Sequence, residues 1–280
     1  MLMMKRILSL ALAAVLSVLF VGCSPKESES VAVATGGEEK AEGVLKVGAT
    51  PVPHAEILEV VKPILEQKGI KLEIVVFDDY VQPNTALADK EIDANFFQHQ
   101  PYLDNFNTER GLNLVSLAKV HVEPLGLYSK KIKNISELKD GSTIAIPNDA
   151  TNNARALLLL QANGIIKLKD GGSITSSELD VVENPKNIKF EAVEAAQLPR
   201  VLEDVDAAII NTNFAIPAGL NPIRDALIIE DGSSPYANIL VIRQGDESRQ
   251  ELKELAKALN STEVKSFIQE KYEGAVIPAF

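Results

Sequence analysis

The feature that most restricts the fold is a plan the chain uses twice. Leu45-Lys46-Val47-Gly48-Ala49-Thr50-Pro51 reads as a short strand with a proline-marked exit, followed by a polar loop and a helical stripe. Thr143-Ile144-Ala145-Ile146-Pro147-Asn148 repeats that order. Further along each copy, Glu91-Ile92-Asp93-Ala94-Asn95-Phe96 is echoed by Asp204-Val205-Asp206-Ala207-Ala208-Ile209-Ile210-Asn211. In both, an acid and a β-branched residue precede Asp-Ala and a strand that ends in an amide or an aromatic. Two α/β units on one plan favour two lobes over one large sheet.

Residues 1–22 read as an export signal. Lys5 and Arg6 supply its positive start, and Ile7 to Val21 is apolar apart from Ser9 and Ser17, shorter than a comfortable membrane span. Cys23, the only cysteine, follows this run directly behind Gly22, and the pattern resembles the bacterial lipobox, with Phe20 where Leu is usual. That resemblance implies a lipid-modified Cys23 as the mature N-terminus. A single cysteine rules out an intramolecular disulfide. Residues 23–43, rich in Ser, Glu, Gly, Ala and Lys, lack an apolar period and are expected to form a flexible tether. The folded body is then Val44 to Phe280, long enough for two modest lobes.

With 28 basic and 39 acidic residues the net charge is −11, and −13 once Lys5 and Arg6 leave with the signal. The densest basic cluster is Lys130, Lys131 and Lys133, so nucleic acid is excluded as a partner and the acidity speaks for solubility. There is no Trp, so an aromatic pocket must use Phe, Tyr or His.

Apolar spacing predicts helices over His54–Lys68 (with Pro63 expected to kink it), Thr85–Lys90, Asn152–Asn163, Gln197–Leu202, Glu247–Leu259 and Thr262–Glu273, the last capped by Ser261. Strands are expected at 44–49, 71–77, 92–96, 112–120, 124–128, 143–147, 188–193, 207–211, 227–230 and 238–243, with a turn over Asp231 to Pro235. Asp93 to Asp104 stands out among them. Ile92, Ala94 and Phe96 alternate with polar residues as in a half-buried strand, then Phe97, Gln98, His99 and Tyr102 crowd together and Pro101 stops the strand. An α/β sheet places ligands at such a C-terminal strand end. Phe96 is expected to face the core and Phe97 the opposite side.

Several strings resemble the methionine-binding lipoproteins, the NlpA family. They include Phe77-Asp78-Asp79-Tyr80-Val81-Gln82-Pro83-Asn84, Asp93 through Leu103, and Ile146-Pro147-Asn148-Asp149-Ala150-Thr151-Asn152 with Arg155. Val182 to Asn187, Gln197-Leu198-Pro199-Arg200, Ile210-Asn211 and Ser234-Pro235-Tyr236-Ala237-Asn238 continue the match in order. The resemblance implies an α/β, two-lobed periplasmic-binding-protein-like fold of type II, with the ligand cleft between lobes. Lobe 1 is expected over 44–125 and 229–280, lobe 2 over 126–228. It further implies a non-enzymatic, monomeric protein on a lipid anchor outside the membrane, without cofactor or metal. That protein would capture L- or D-methionine for an ABC permease and its ATPase.

Free methionine presents a carboxylate, an ammonium and a thioether, and a closed cleft must satisfy both charges. Arg155, expected on the first helical turn, is assigned the carboxylate by the resemblance; position alone leaves it between that role and an exposed ion pair. Asn152, Asn211 and Asn238 are the polar candidates for the remaining bonds, although an Asn such as Asn152 also caps helices for local reasons. Tyr80, Phe97, His99 and Tyr102 are the candidates for the thioether slot, where sulfur gains about 0.3–1.5 kcal/mol beside a ring. A methionine-containing dipeptide or another apolar amino acid would suit the same fold. From other classes, His54, His99, His121 and Glu123 are the donors a metal-importing protein would need. A hydrolase would need a motif such as Gly-x-Ser-x-Gly or HExxH, which the sequence lacks.

Overall fold

The computed structural model describes residues 43–280 except 233 and 234. The export signal, Cys23, the tether through residue 42 and the two serines of the predicted turn lie outside the described residues.

Strand β1 (Val44–Ala49) passes through a helical turn at Pro51–Ala55 into helix α1 (Glu56–Glu66). Ile57, Leu58, Val61 and Leu65 form the buried stripe of α1. Pro63 is accommodated inside this helix, because it sits on the exposed face and the Glu59 carbonyl it leaves unpaired is also at the exposed side. Next come β2 (Lys71–Val76), α2 (Gln82–Ala88) and β3 (Ala94–His99).

The strand reading of the Asp93–Asp104 stretch needs a correction. Pro101 does not merely end β3; it lies in the first turn of a helix, α3 (Gln100–Arg110). A first-turn proline lacks only an N–H that would have no helical partner. His99 caps this helix, its Nδ1 accepting from the Tyr102 N–H at 3.2 Å.

The chain continues through β4 (Leu114–Val122), β5 (Gly126–Tyr128), β6 (Thr143–Pro147) and α4 (Ala150–Ala162). A small pair, β7 (Lys167–Leu168) and β8 (Val181–Glu183), precedes β9 (Lys189–Val193), α5 (Leu198–Val201) and β10 (Ala207–Ile210). Short helices α6 (Thr212–Ala215) and α7 (Pro222–Asp225) lead to β11 (Ile228–Ile229) and β12 (Ala237–Arg243). The chain closes with α8 (Gln250–Leu259), α9 (Thr262–Tyr272) and β13 (Ile277–Pro278).

Two principal sheets result. One has the order β13-β4-β12-β3-β1-β2, the other β11-β5-β10-β6-β9. Each has a parallel centre, β2-β1-β3 in the first and β9-β6-β10 in the second, flanked by antiparallel strands. The repeat in the sequence is therefore a repeat of sheet plan. The first sheet packs Leu45, Val47, Phe96 and Leu240 against α1, α8 and α9; the second packs Ile144, Ile146 and Ile209 against Leu157 and Leu160 of α4. The chain passes between sheets twice, after β4 and after β11. Both sheets send the C-terminal ends of parallel strands toward one point: His99 ends β3, Asn211 follows β10, and α4 follows β6.

Helix α4 also differs from expectation. It begins at Ala150, not Asn152, because the Asp149 carboxylate caps it by accepting the Asn152 N–H at 2.9 Å. Arg155 consequently sits on the second turn, where the helix dipole contributes little.

Candidate functional site

The eight residues singled out in the sequence, Tyr80, Phe97, His99, Tyr102, Asn152, Arg155, Asn211 and Asn238, line one cavity between the sheets. Gln98, Glu123, Thr212 and Asn213 line it too. Those four were missed as cavity residues. Asn213 stands two positions beyond Asn211, at the start of α6, and Glu123 had drawn notice only as a metal donor.

One wall is aromatic. The Tyr80 ring lies 6.0 Å from Phe97, 5.8 Å from Tyr102 and 5.0 Å from Phe214, centroid to centroid. The Tyr80 hydroxyl donates to Asn213 Oδ1 at 2.5 Å, and the Tyr102 hydroxyl donates to the Tyr80 carbonyl at 2.8 Å. Phe96 turns away into the core, fully buried. The slot is thus a soft apolar surface held at its edges by hydrogen bonds.

The opposite wall is polar. Arg155 corrects the simplest expectation, that its two-nitrogen fork is free for a ligand carboxylate. Its Nε donates to Glu230 Oε1 at 2.8 Å, and its Nη2 donates to Glu230 Oε2 and, at 2.8 Å, to the Glu123 carbonyl. Its guanidinium lies 4.3 Å from the Tyr236 ring centre. The nitrogen outside those bonds is Nη1. Glu123 and Glu230 stand on the two passages between sheets, so Arg155 is fastened to both.

Asn152 is also more committed than expected. Its Nδ2 donates to both carboxylate oxygens of Asp149 at 3.0 Å. Its Oδ1 accepts from His99 Nε2 at 3.2 Å and from Asn211 Nδ2 at 2.9 Å. Asn152 is therefore a clasp between the sheets that borders the cavity. That clasp leaves Asn211 Oδ1 buried without a hydrogen-bond partner, and Asn213 Nδ2 is in the same condition. Asn238 turns Oδ1 toward His54 Nε2 at 3.1 Å, so its Nδ2 is the end left for the cavity. It pairs across β12 with His99 on one side and His121 on the other, next to a register shift that re-aims side chains.

Burial sets the charge states. It lowers the pKa of His54 to about 4 and those of His99 and His121 to about 3, so all three rings are neutral at pH 7; the Arg155 charge adds to the effect on His99. Burial raises the Glu123 pKa, and the neighbouring Arg155 charge acts against the rise.

His54, His121 and Glu123 converge, with candidate ligand atoms within 4.8 Å of one another. His121 and Glu123 stand at hydrogen-bond spacing, whereas His54 Nε2 lies 3.3 Å from Glu123 Oε1. His121 Nε2 lies 2.7 Å from Glu123 Oε1. Two ligand atoms around one tetrahedral ion at about 2.0–2.1 Å stand roughly 3.3 Å apart. Of the three, Glu123 lines the cavity.

Two α/β lobes, joined by two passages and enclosing a cavity with one aromatic and one polar wall, define a solute-binding protein of the periplasmic type. Comparison with known proteins gives the lineage. The NlpA lipoprotein family model matches residues 45–280, and the chain belongs to this family. It is 45% identical over 245 residues to the D-methionine-binding lipoprotein MetQ of Salmonella typhi, covering 86% of this chain and 90% of that one. Among solved structures, a nutrient-binding protein from Burkholderia cenocepacia bound to methionine superposes with a TM-score of 0.82 at 46% identity, covering 85% of this chain and 100% of the other. A periplasmic substrate-binding protein of an ABC transporter from Coxiella burnetii gives 0.81 at 46% identity, covering 84% and 100%. Among the described residues, no helix is long and apolar enough to cross a membrane.

Proposed function

We propose that this chain captures free methionine, of L or D configuration, and hands it to an ABC permease with its ATPase. It would act as a monomer tethered outside the membrane by lipid on Cys23. Lobe 1 comprises residues 44–125 and 229–280, lobe 2 residues 126–228.

The observation that carries this reading is the sorting of unspent polar atoms in the cavity. Arg155 Nη1, Asn213 Nδ2 and Asn238 Nδ2 are donors, whereas Asn211 Oδ1 is an acceptor. Donors suit a carboxylate and acceptors an ammonium, and buried polar atoms require such partners. The aromatic slot of Tyr80, Phe97, His99 and Tyr102 takes the thioether. Asn152 acts by holding His99 and Asn211 in place. Closure is favoured by a ligand that touches both lobes at once.

Native mass spectrometry of the purified protein tests the assignment. The expected adduct has the mass of methionine. A dipeptide or another amino acid would revise the cargo, and a bound metal would refute the reading.

A further inference from the structure

His54 stands behind the cavity wall, 1% exposed, in the helical turn that follows β1. Its Nε2 is 3.1 Å from Asn238 Oδ1 and 3.3 Å from Glu123 Oε1, and its Nδ1 is 2.7 Å from Thr50 Oγ1. The Glu123 carboxylate only accepts, so Nε2 carries the proton whichever way round Asn238 lies. In a neutral ring Nδ1 then accepts from the Thr50 hydroxyl. The imidazole is boxed in by the Phe96 ring at 4.7 Å and the His121 ring at 5.0 Å, so it has no room to turn over.

Asn238 needs such a partner. A carboxamide has nearly the same shape either way round but opposite polarity, so packing alone does not choose between its faces. The strand pairing of β12 fixes the Asn238 backbone and leaves that choice open. His54 makes it, because an Nε2–H opposite Asn238 Nδ2 would set donor against donor.

We propose that His54 is a positioning residue for ligand capture: it holds the Asn238 carboxamide with Nδ2 toward the cavity, making Asn238 a dedicated donor to the ligand carboxylate. This rests on the reading of the cavity as an amino-acid site. A ligand whose carboxylate is replaced by a hydroxyl is indifferent to the polarity of Asn238, since a hydroxyl both donates and accepts.

The test is calorimetric titration of ligand-stripped protein with methionine and with methioninol, the alcohol analogue. In His54→Leu, methionine affinity falls roughly tenfold or more while methioninol affinity stays within about twofold of wild type. In an Asn238→Ala background, His54→Leu adds less than about twofold, the mark of an effect that acts through Asn238. His54→Gln, whose amide can donate from a similar position, recovers most of the loss. Equal losses for both ligands, or additive effects in the cycle, would overturn the proposal. Should His54→Leu fail to fold, His54→Phe keeps a ring in the same space without the Nε2–H. The same split between methionine and methioninol is expected, and equal losses or an unchanged methionine affinity there overturn the proposal. Wild-type protein that bound no methionine would instead refute the amino-acid reading itself.

Discussion

Replacing Arg155 by Ala should have two effects of different origin. In the folded protein Arg155 is 3% exposed and neutralises Glu230, whose side chain is 14% exposed, through a bidentate pair. Removing one partner of a buried pair typically costs about 3–5 kcal/mol, because the other charge is left without compensation. The slight exposure of Glu230 favours the lower end. For a body of this size, about 3 kcal/mol corresponds to a fall in Tm of roughly 6–12 °C by differential scanning calorimetry. Separately, on the proposed carboxylate role of Nη1, its loss should cost one charge-assisted bond, about 1.5–3 kcal/mol, or roughly 10- to 150-fold in methionine affinity. The double variant Arg155→Ala/Glu230→Ala separates the two. Without the stranded carboxylate most of the Tm should return, while the affinity should not. A single variant that bound methionine within threefold of wild type would refute the carboxylate assignment. A double variant as unstable as the single one would refute the account of the pair.

Tyr80→Phe removes the 2.5 Å bond to Asn213 Oδ1 and should weaken methionine binding about fivefold in calorimetry, the worth of one hydrogen bond; unchanged affinity would contradict its role as a tie across the cavity. Ser261 caps α9 by accepting the Val264 N–H, so Ser261→Ala should lower Tm by about 2–4 °C and leave methionine affinity alone. Stability should also fall in mild acid. His54, His99 and His121 have folded pKa values of about 4, 3 and 3, below the 6.5 of an unfolded His. Between pH 6.5 and about 4 the unfolded chain therefore binds protons that the folded chain refuses. The stability these rings contribute is full above pH 6.5 and is lost as pH falls through that window. Glu123 and Asp149, raised by burial, act in the opposite sense and offset part of the loss. Urea denaturation near pH 5 should show a net decline of roughly 1–4 kcal/mol per pH unit, and a flat or rising profile would contradict these charge states.

The sequence was most legible where one residue type carries both structure and chemistry. Alternation through Ile92, Ala94 and Phe96 places Phe97 on the other face of β3, beside the polar residues that end the strand. The doubled strand plan similarly leads to two sheets with parallel centres. Helix α3 was illegible because it is mostly polar and buries only Tyr102, Leu103 and Phe106, while its proline reads locally as a breaker. The partner of Arg155 was hidden for a different reason. Glu230 lies 75 residues away on the return passage, and an isolated Glu in a turn region has no pattern to mark it. The same holds for Asn213, whose Nδ2 becomes informative only once the surrounding atoms reveal that nothing else satisfies it. Local periodicity announces strands and helices; the polarity of each amide depends on its neighbours in space.

That dependence has a consequence for how variants of this cavity should be understood. The residues that line it also tie the sheets together: Tyr80 reaches Asn213, His99 reaches Asn152, and Arg155 grips both passages. Each such bond contributes about 0.5–1.5 kcal/mol to the closed arrangement whether or not it touches the cargo. Apparent affinity is the intrinsic affinity scaled by the fraction of protein able to close. A loss of affinity in Tyr80→Phe thus combines a change in contact with a change in closure, in proportions that an equilibrium titration does not separate. The ligand dependence does separate them. Reduced closure lowers the affinity of methionine and methioninol by the same factor, whereas a lost carboxylate contact lowers only that of methionine. Tyr80→Phe should lower both affinities, methionine the more because Asn213 Nδ2 is among the proposed carboxylate donors, and His54→Leu should lower that of methionine alone.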